Sequence, residues 1–442
     1  MKFIETLKNI WKIEDLRSRL LTTILFVLIY RFGSFIVLPG IDPTALTALK
    51  SQTSGGLLAL LDMFSGGAFA NASVFALGIM PYISASIVIQ LLTIAVPYFQ
   101  KMQREGESGR RKMNQYTRYL TVIILLLQGP SYLINLSVQL AQAGSAMPSG
   151  FWFTASTTLI LAGGSMFVMW LGERITDKGI GNGISFIILV GIISRFPGAV
   201  IKEFASRLTD AGGGLVMFLV EVVFLLLVIA ASIMLVQGTR KIPVQYAKRV
   251  VGNKQYGGVR QYIPLKINAA GVMPIIFAQA IMFIPITIAG FSASNASSFW
   301  SSFMSMTGFW YNFVFAILII LFTYFYTAIT VQPTQMAEDM KRNNGFIPGV
   351  KPGKKTADYL DSIMSRITLP GSIFLAIVAI LPAFAQICGV SAEFSQFFGG
   401  TSLLILVGVV LDTLQQIESH LMMRHYDGLM KSGKIKGRSG AY

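Results

Sequence analysis

Ten long apolar runs divide this chain, and a sequence built that way cannot fold as one water-soluble domain. In order they are "LLTTILFVLIYRFGSFIVL", "ISASIVIQLLTIAV", "YLTVIILLLQGPSYLINL", "TLILAGGSMFVMWL", "ISFIILVGIISRF", "LVMFLVEVVFLLLVIAASIMLV", "AGVMPIIFAQAIMFIPITIAG", "NFVFAILIILFTYFYTAIT", "LPGSIFLAIVAILPAFAQI" and "TSLLILVGVVLDTL". A helix rises 1.5 Å per residue, so about 20 apolar residues cross a hydrocarbon core about 30 Å thick. Several runs are interrupted by Gly or Pro, which spanning helices tolerate better than soluble ones do. Charged residues make up 13% of the chain, against about a quarter in soluble domains. The expected fold is all-α and integral to the membrane, with ten spanning helices.

One apolar stretch is too short. "LLALLDMF", Leu57 to Phe64, lies between Gly55-Gly56 and Gly66-Gly67 and precedes the second long run. About ten helical residues reach roughly 15 Å, half the hydrocarbon depth. A full-length apolar helix would stay in lipid, whereas a short one carrying Asp62 and flanked by double glycines can move between packed and displaced positions. The "MKFIETLKNIWKIEDLRSRL" segment at the start of the sequence interleaves apolar and charged residues and reads as an interfacial amphipathic helix rather than a cleavable leader.

Charge sets the expected topology. The net charge is +16. With ten spans and an inside amino terminus, 31 of the 36 basic residues fall on inside segments; Lys50, Arg195, Lys202 and Arg207 fall in outside loops, and Arg31 lies in the first span. That asymmetry obeys the positive-inside rule and makes both termini cytoplasmic. Two inside segments exceed what orientation needs. "QGTRKIPVQYAKRVVGNKQYGGVRQYIPLKIN" carries seven basic residues, no acids and three tyrosines, and "NNGFIPGVKPGKKTADYLDSIMSR" is rich in Gly, Pro and Lys. Both suit attraction to anionic lipid or docking of a large acidic or nucleic-acid-bearing partner.

Reactive chemistry is missing from the pattern. "PGKKT" resembles the end of a nucleotide-binding loop, but Lys355 stands where Ser or Thr should follow Gly353-Lys354, and Pro348 occupies the place of the first Gly. "GIGNGIS" follows no βαβ pattern. His420 and His425 are five apart, not the i, i+4 spacing of helical metal ligands. The single cysteine, Cys388, cannot form an intramolecular disulfide. Ionisable residues expected within the spans are few: Arg31, Glu221 and Asp412. No enzyme activity, metal or cofactor is expected.

"MFSGGAFANASVFALGIMPYISASIVIQLLTI", "REGESGRRKMNQYTRYLT", "MWLGERITDKGIGNGIS", "YAKR", "PLKINAAGVMPIIFA", "FYTA", "FIPGVKPGKKTADYLD" and "FGGTSLLI" together resemble the SecY family, the channel subunits of the bacterial protein-conducting translocon. The matches run in order over nearly the whole chain. The resemblance implies two inverted, pseudo-symmetric five-helix halves: 20–200 and 201–420, between an amphipathic segment over 1–19 and a basic tail over 421–442. It makes the short stretch, about 55–70, a re-entrant plug, with Leu57, Leu58, Leu61, Asp62, Phe64, Gly66 and Gly67 as its marked residues.

It also implies a pore ring of Ile79, Ile83, Ile184, Ile188, Ile276 and Ile405. Isoleucine is bulky, stiff at χ1 and offers no hydrogen bond to a passing chain, and an apolar constriction excludes ions by dewetting. A lateral gate is implied between spans 2 and 3 and spans 7 and 8, with Ser84, Gln90 and Gln128 as polar candidates. Interhelical hydrogen bonds in membranes average about 0.6 kcal/mol. A segment with ten Leu or Ile gains roughly 3–6 kcal/mol on entering lipid, enough to open such a seam.

For the basic segments the resemblance implies docking of the ATPase SecA or of a translating ribosome through Arg240, Lys241, Lys248, Arg249, Lys254 and Lys351. Lys351 stands where family members usually carry arginine, and lysine cannot make arginine's forked contact. SecE and SecG as small membrane subunits, signal-bearing polypeptides as cargo and membrane lipid complete the implied partners. The function so implied is passage of unfolded secretory polypeptides across the cell's inner membrane, with release of hydrophobic segments into lipid. A small-solute secondary transporter is the alternative, since such proteins also use inverted repeats and broken helices; it would bury more ionisable groups and has no use for large basic loops.

Overall fold

The computed structural model describes residues 11, 13–42, 62–142, 148, 150–209, 214–246, 249–251, 254–256, 260–279, 281–282 and 307–431. The chain divides into two compact units: Met1–Gly198 with Val409–Tyr442, and Ala199–Gly408.

In the first unit, α1 (Glu14–Gly33) opens with Glu14 and Asp15, acids that suit the positive end of a helix dipole. Its buried residues Leu16, Thr23, Tyr30 and Gly33 form one stripe at near-heptad spacing. α2 (Met80–Ala95) starts at Pro81 and ends where Val96 is extended before Pro97, as a residue preceding proline must be. α3 (Pro97–Arg104) leaves at 101° to α2. α4 (Glu107–Gln142) and α6 (Gly183–Thr209) run straight through Pro130 and Pro197. Between them α5 (Phe151–Lys178) buries ten residues and packs on both α1 and α4. Close approach there requires glycine: a Cβ on Gly164 would lie 2.2 Å from the Val74 carbonyl oxygen.

In the second unit, α7 (Gly214–Gln237) buries Glu221, Leu225, Val228 and Ser232 at i, i+4, i+7 and i+11. Two antiparallel pairs follow from the first basic segment. β1 (Thr239–Tyr246) pairs with β4 (Arg260–Lys266), and β2 (Arg249–Val251) with β3 (Lys254–Tyr256). α8 (Phe309–Thr330) buries every fourth residue from Tyr311 to Thr327 and packs on α10 (Lys354–Ile387). At 34 residues, α10 is about 51 Å long, well beyond one hydrocarbon thickness. α9 (Pro333–Arg342), β5 (Gly345–Phe346), α11 (Ala392–Ser395) and α12 (Gly400–Lys431) complete the described elements.

Among the described residues seven helices are long and apolar enough to cross a membrane, or eight if the bent α2–α3 pair is one span. α1 has bilayer length but carries Glu14, Asp15, Arg17, Arg19 and Arg31. The expected seventh run lies partly outside the described residues; within it, 273–279 are helical. The fold is that of a multispanning helical membrane protein. Beside the helices, both basic segments contribute strands to one small sheet.

Candidate functional site

Of the short stretch between the first two long runs, Leu57, Leu58 and Leu61 lie outside the described residues. From Asp62 onward the chain is helical for one turn, then turns repeatedly until α2 begins. Gly66 and Gly67 both adopt positive φ, 64° and 93°, a region open to glycine and costly for other residues. The segment is docked, not dangling. Asp62, Met63, Phe64 and Ser65 are all buried. Tyr30 Oη of α1 donates to the Ser65 carbonyl at 3.0 Å, and Arg31 Nη1 donates to the Gly66 carbonyl at 2.8 Å. Tyr132 Oη of α4 donates to the Phe69 carbonyl at 3.0 Å. The Val37–Ser73 bridge ties the following chain to the end of α1 through Leu38 N–H to the Ala72 carbonyl and Val74 N–H to the Ile36 carbonyl, each at 2.9 Å.

Asp62 is the one acid of this stretch, and both of its oxygens are engaged. Oδ1 accepts the Ala70 N–H at 2.7 Å, and Oδ2 forms an ion pair with Arg195 of α6. A carboxylate removed from water needs such partners, since an uncompensated buried charge costs several kcal/mol. Arg195 was expected in an outside loop. It is instead helical, because Pro197 does not end α6, and Lys202 and Arg207 lie on the same helix. Each has an acid beside it. Lys202 Nζ sits 2.6 Å from Glu393, and Arg207 bridges Glu203 at 3.0 Å and Glu221 at 2.5 Å while also donating to the Gly389 carbonyl. Composition gave no hint of these pairings; the one local signal was the i, i+4 spacing of Glu203 and Arg207.

The six isoleucines divide between the units. Ile79, Ile83, Ile184 and Ile188 belong to the first, Ile276 and Ile405 to the second. Ile79, Ile188 and Ile405 are buried and the other three half-buried. Ile79 caps the start of α2, and its carbonyl accepts the Ile83 N–H at 3.1 Å. Ile184 packs against Gly172 of α5, where a Cβ would stand 3.0 Å from it. On α6, Ile184, Ile188, Gly191 and Arg195 follow i, i+4, i+7 and i+11 spacing and so share one face.

The three polar candidates of the gate lie in the first unit. Ser84 Oγ donates to the Met80 carbonyl of its own helix at 3.1 Å. Gln90 is half-buried with its amide oxygen unpartnered, and Gln128 is exposed.

The two basic segments come together. Gln245 and Tyr246 of β1 pair with Phe346 and Gly345 of β5, giving sheet order β4-β1-β5. Strand alternation sends Ile242 and Val244 inward and leaves Lys241 and Pro243 exposed, and Arg240 near the start of the strand is exposed as well. The inward face meets Leu265, Met340, Ile347, Leu360 and Met364, so α9 and the start of α10 hold the sheet. Lys351 is exposed on the turn after β5, where Gly349 and Gly353 take positive φ and the Lys351 carbonyl accepts Thr356 Oγ1 at 2.9 Å. Arg249 and Lys254 lie on the β2–β3 hairpin, while Lys248 is outside the described residues.

These features define a polytopic helical membrane protein with a docked short segment in one unit and a basic sheet in the other. The SecY family profile matches residues 73–414. The chain is 42% identical over 436 residues to the protein translocase subunit SecY of Streptomyces scabiei, covering 95% of this chain and 98% of that one. Against the same subunit of Mycobacterium bovis it is 42% identical over 452 residues, 97% and 99% of the two chains. The chain belongs to the SecY family.

Among solved structures it is similar in fold to a chain described as "The structure of a protein conducting channel", with TM-score 0.60 and 16% identity over 91% of this chain and 92% of that one. Sec61 in the canine ribosome-channel complex aligns over the same shares with TM-score 0.57 and 16% identity. A structure concerned with the plug domain of the SecY protein, which is said there to stabilise the closed state of the translocation channel, aligns with TM-score 0.60 and 17% identity over 91% and 92%.

Proposed function

We propose that this chain is the pore subunit of a protein-conducting channel: it passes unfolded secretory polypeptides across the cell's inner membrane and lets apolar segments leave sideways into lipid. The observation that carries the reading is 42% identity to translocase subunits over 95% or more of both chains. Both termini are cytoplasmic by the distribution of basic residues. The two pseudo-symmetric halves meet approximately at residue 200, and the segment from about 55 to 70 is the plug.

The six isoleucines form the constriction. The supporting observation is that each side chain is buried or half-buried, and isoleucine cannot hold a passing amide by hydrogen bonding. Ser84, Gln90 and Gln128 line the lateral seam, where Gln90 Oε1 is a buried acceptor available to a partner. Arg240, Lys241, Lys248, Arg249, Lys254 and Lys351 dock the energy source, SecA or a translating ribosome, as the ribosome-bound Sec61 and Ssh1 relatives suggest. SecE and SecG accompany the chain in the membrane. A secondary transporter is disfavoured by the exposed cationic sheet, which solute exchange does not require.

Crosslinking tests the route. A photoreactive residue at Ile83, Ile188 or Ile405, in membranes loaded with an arrested secretory chain, should capture that chain from all three positions. Capture from none of them would remove the proposed pore.

A further inference from the structure

Asp62 and Arg195 are 133 positions apart in sequence and come from different apolar runs, yet the one buried acid of the short segment is neutralised by α6. Asp62 is 2% exposed and the Arg195 side chain 32% exposed, so the carboxylate is desolvated while the guanidinium keeps access to water. The contact is close along its length. A Cβ on Gly66 would fall 2.8 Å from the Gly191 Cα, a Cβ on Gly191 would meet the Phe64 carbonyl at 3.0 Å, and a Cβ on Gly67 would touch Arg195 at 3.4 Å. Gly191 and Arg195 share their helix face with Ile184 and Ile188. Arg195 lies seven residues, about 10 Å along the axis, beyond Ile188.

We propose that Arg195 is a release residue: it couples the face of α6 that carries Ile184 and Ile188 to the docking of the Asp62–Gly67 segment. The inference rests on the plug and pore readings above and adds the means by which one governs the other. Its physics is asymmetric. An intact buried ion pair gains little over well-packed apolar groups, because desolvation offsets the attraction, but one partner left buried alone is strongly disfavoured. The docked segment is therefore tolerated while Arg195 is in register. When a translocating chain pushes the Ile184 and Ile188 face aside, Arg195 moves with it and leaves Asp62 charged and unpaired. The carboxylate then regains a counterpart only by moving to water, and the segment leaves with it. Tyr30 and Arg31 hold the segment by its Ser65 and Gly66 carbonyls. Those bonds hold it on α1 through its backbone carbonyls.

The test is the resting ion conductance of the full chain, assembled with its membrane subunits in planar bilayers. Arg195→Gln should raise that conductance about tenfold or more, while Arg195→Lys, which keeps the charge, should stay close to the unaltered channel. Adding Asp62→Asn to Arg195→Gln should restore a tight channel, since a neutral amide can remain buried without a cation; a merely structural loss would not be repaired by a second loss. A tight Arg195→Gln channel, or a double variant as leaky as the single one, would overturn the proposal. If Arg195→Gln fails to assemble and the double variant assembles, the stranded charge is again the cause and the proposal stands. If neither assembles, the pair is a folding element and the proposal falls. Deletion of 57–70 separates the two readings: a leaky deletion beside a tight Arg195→Gln sinks the release residue alone, whereas a tight deletion sinks the plug and the release residue together.

Discussion

Gly66 shows how narrow the tolerance is for a single atom at the docked segment. Its φ is 64°, which costs an L residue about 1–2 kcal/mol, and an added Cβ would stand 2.8 Å from the backbone of Gly191. Gly66→Ala should therefore disfavour docking by more than the backbone penalty alone, because neither backbone can yield as a flexible side chain would. Gly67→Ala bears the backbone penalty but meets Arg195 at an ordinary 3.4 Å. Resting conductance should rank Gly66→Ala above Gly67→Ala, and the reverse order would mean that the close approach does not matter. The isoleucines offer a second comparison. Ile188 is 5% exposed, so Ile188→Gly removes a packed side chain at about 2–5 kcal/mol, whereas half-buried Ile83 should cost less. Replacing both should loosen the constriction and let chains with weak signal sequences through. An export assay with a defective signal sequence reads this, and wild-type stringency would speak against the ring.

Elements differ in how far they can be removed. Deletion of 57–70 takes away Asp62 and the acceptors for Tyr30, Arg31 and Tyr132, but leaves the Leu38–Ala72 and Val74–Ile36 hydrogen bonds that anchor the chain on its return. The deleted protein should still insert and assemble, and should leak ions in bilayer recordings. Loss of assembly would make the stretch a core element instead. The long helices and this short stretch were legible in sequence because run length against bilayer thickness is a one-dimensional measure. The sheet was equally written there: Ile242 and Val244 alternate with Lys241 and Pro243, and Ile263 stands opposite Ile242 on β4. Its period of two is short and set in a segment dense with charge. What no local pattern carries is the meeting of Asp62 with Arg195, or of Arg207 with Glu221. Each depends on tertiary packing, whereas Glu203 and Arg207 are an i, i+4 pair on one helix.

For the whole molecule the question is how a channel of the SecY family would receive force from a docked partner. The two basic segments share one packed support: β1 joins β4 and β5, and Ile242, Val244 and Leu265 pack the sheet against Met340, Leu360 and Met364. α10 then runs on without a break from that clamp to Ile387, so a push on the sheet meets a helix rather than a slack loop. Two consequences can be separated by experiment. Charge reversal of Arg240, Lys241 and Lys351 to Glu, all exposed, should weaken SecA-driven export in reconstituted vesicles and flatten its dependence on salt, because screened surface attraction is what is lost. Ile242→Ala should cost about 2–5 kcal/mol of local packing and slow export with the salt dependence intact, because the charges remain while their support softens. Equal loss of salt dependence in both variants would mean that the sheet only displays charge. Normal export in both would reduce these segments to orientation signals for the membrane.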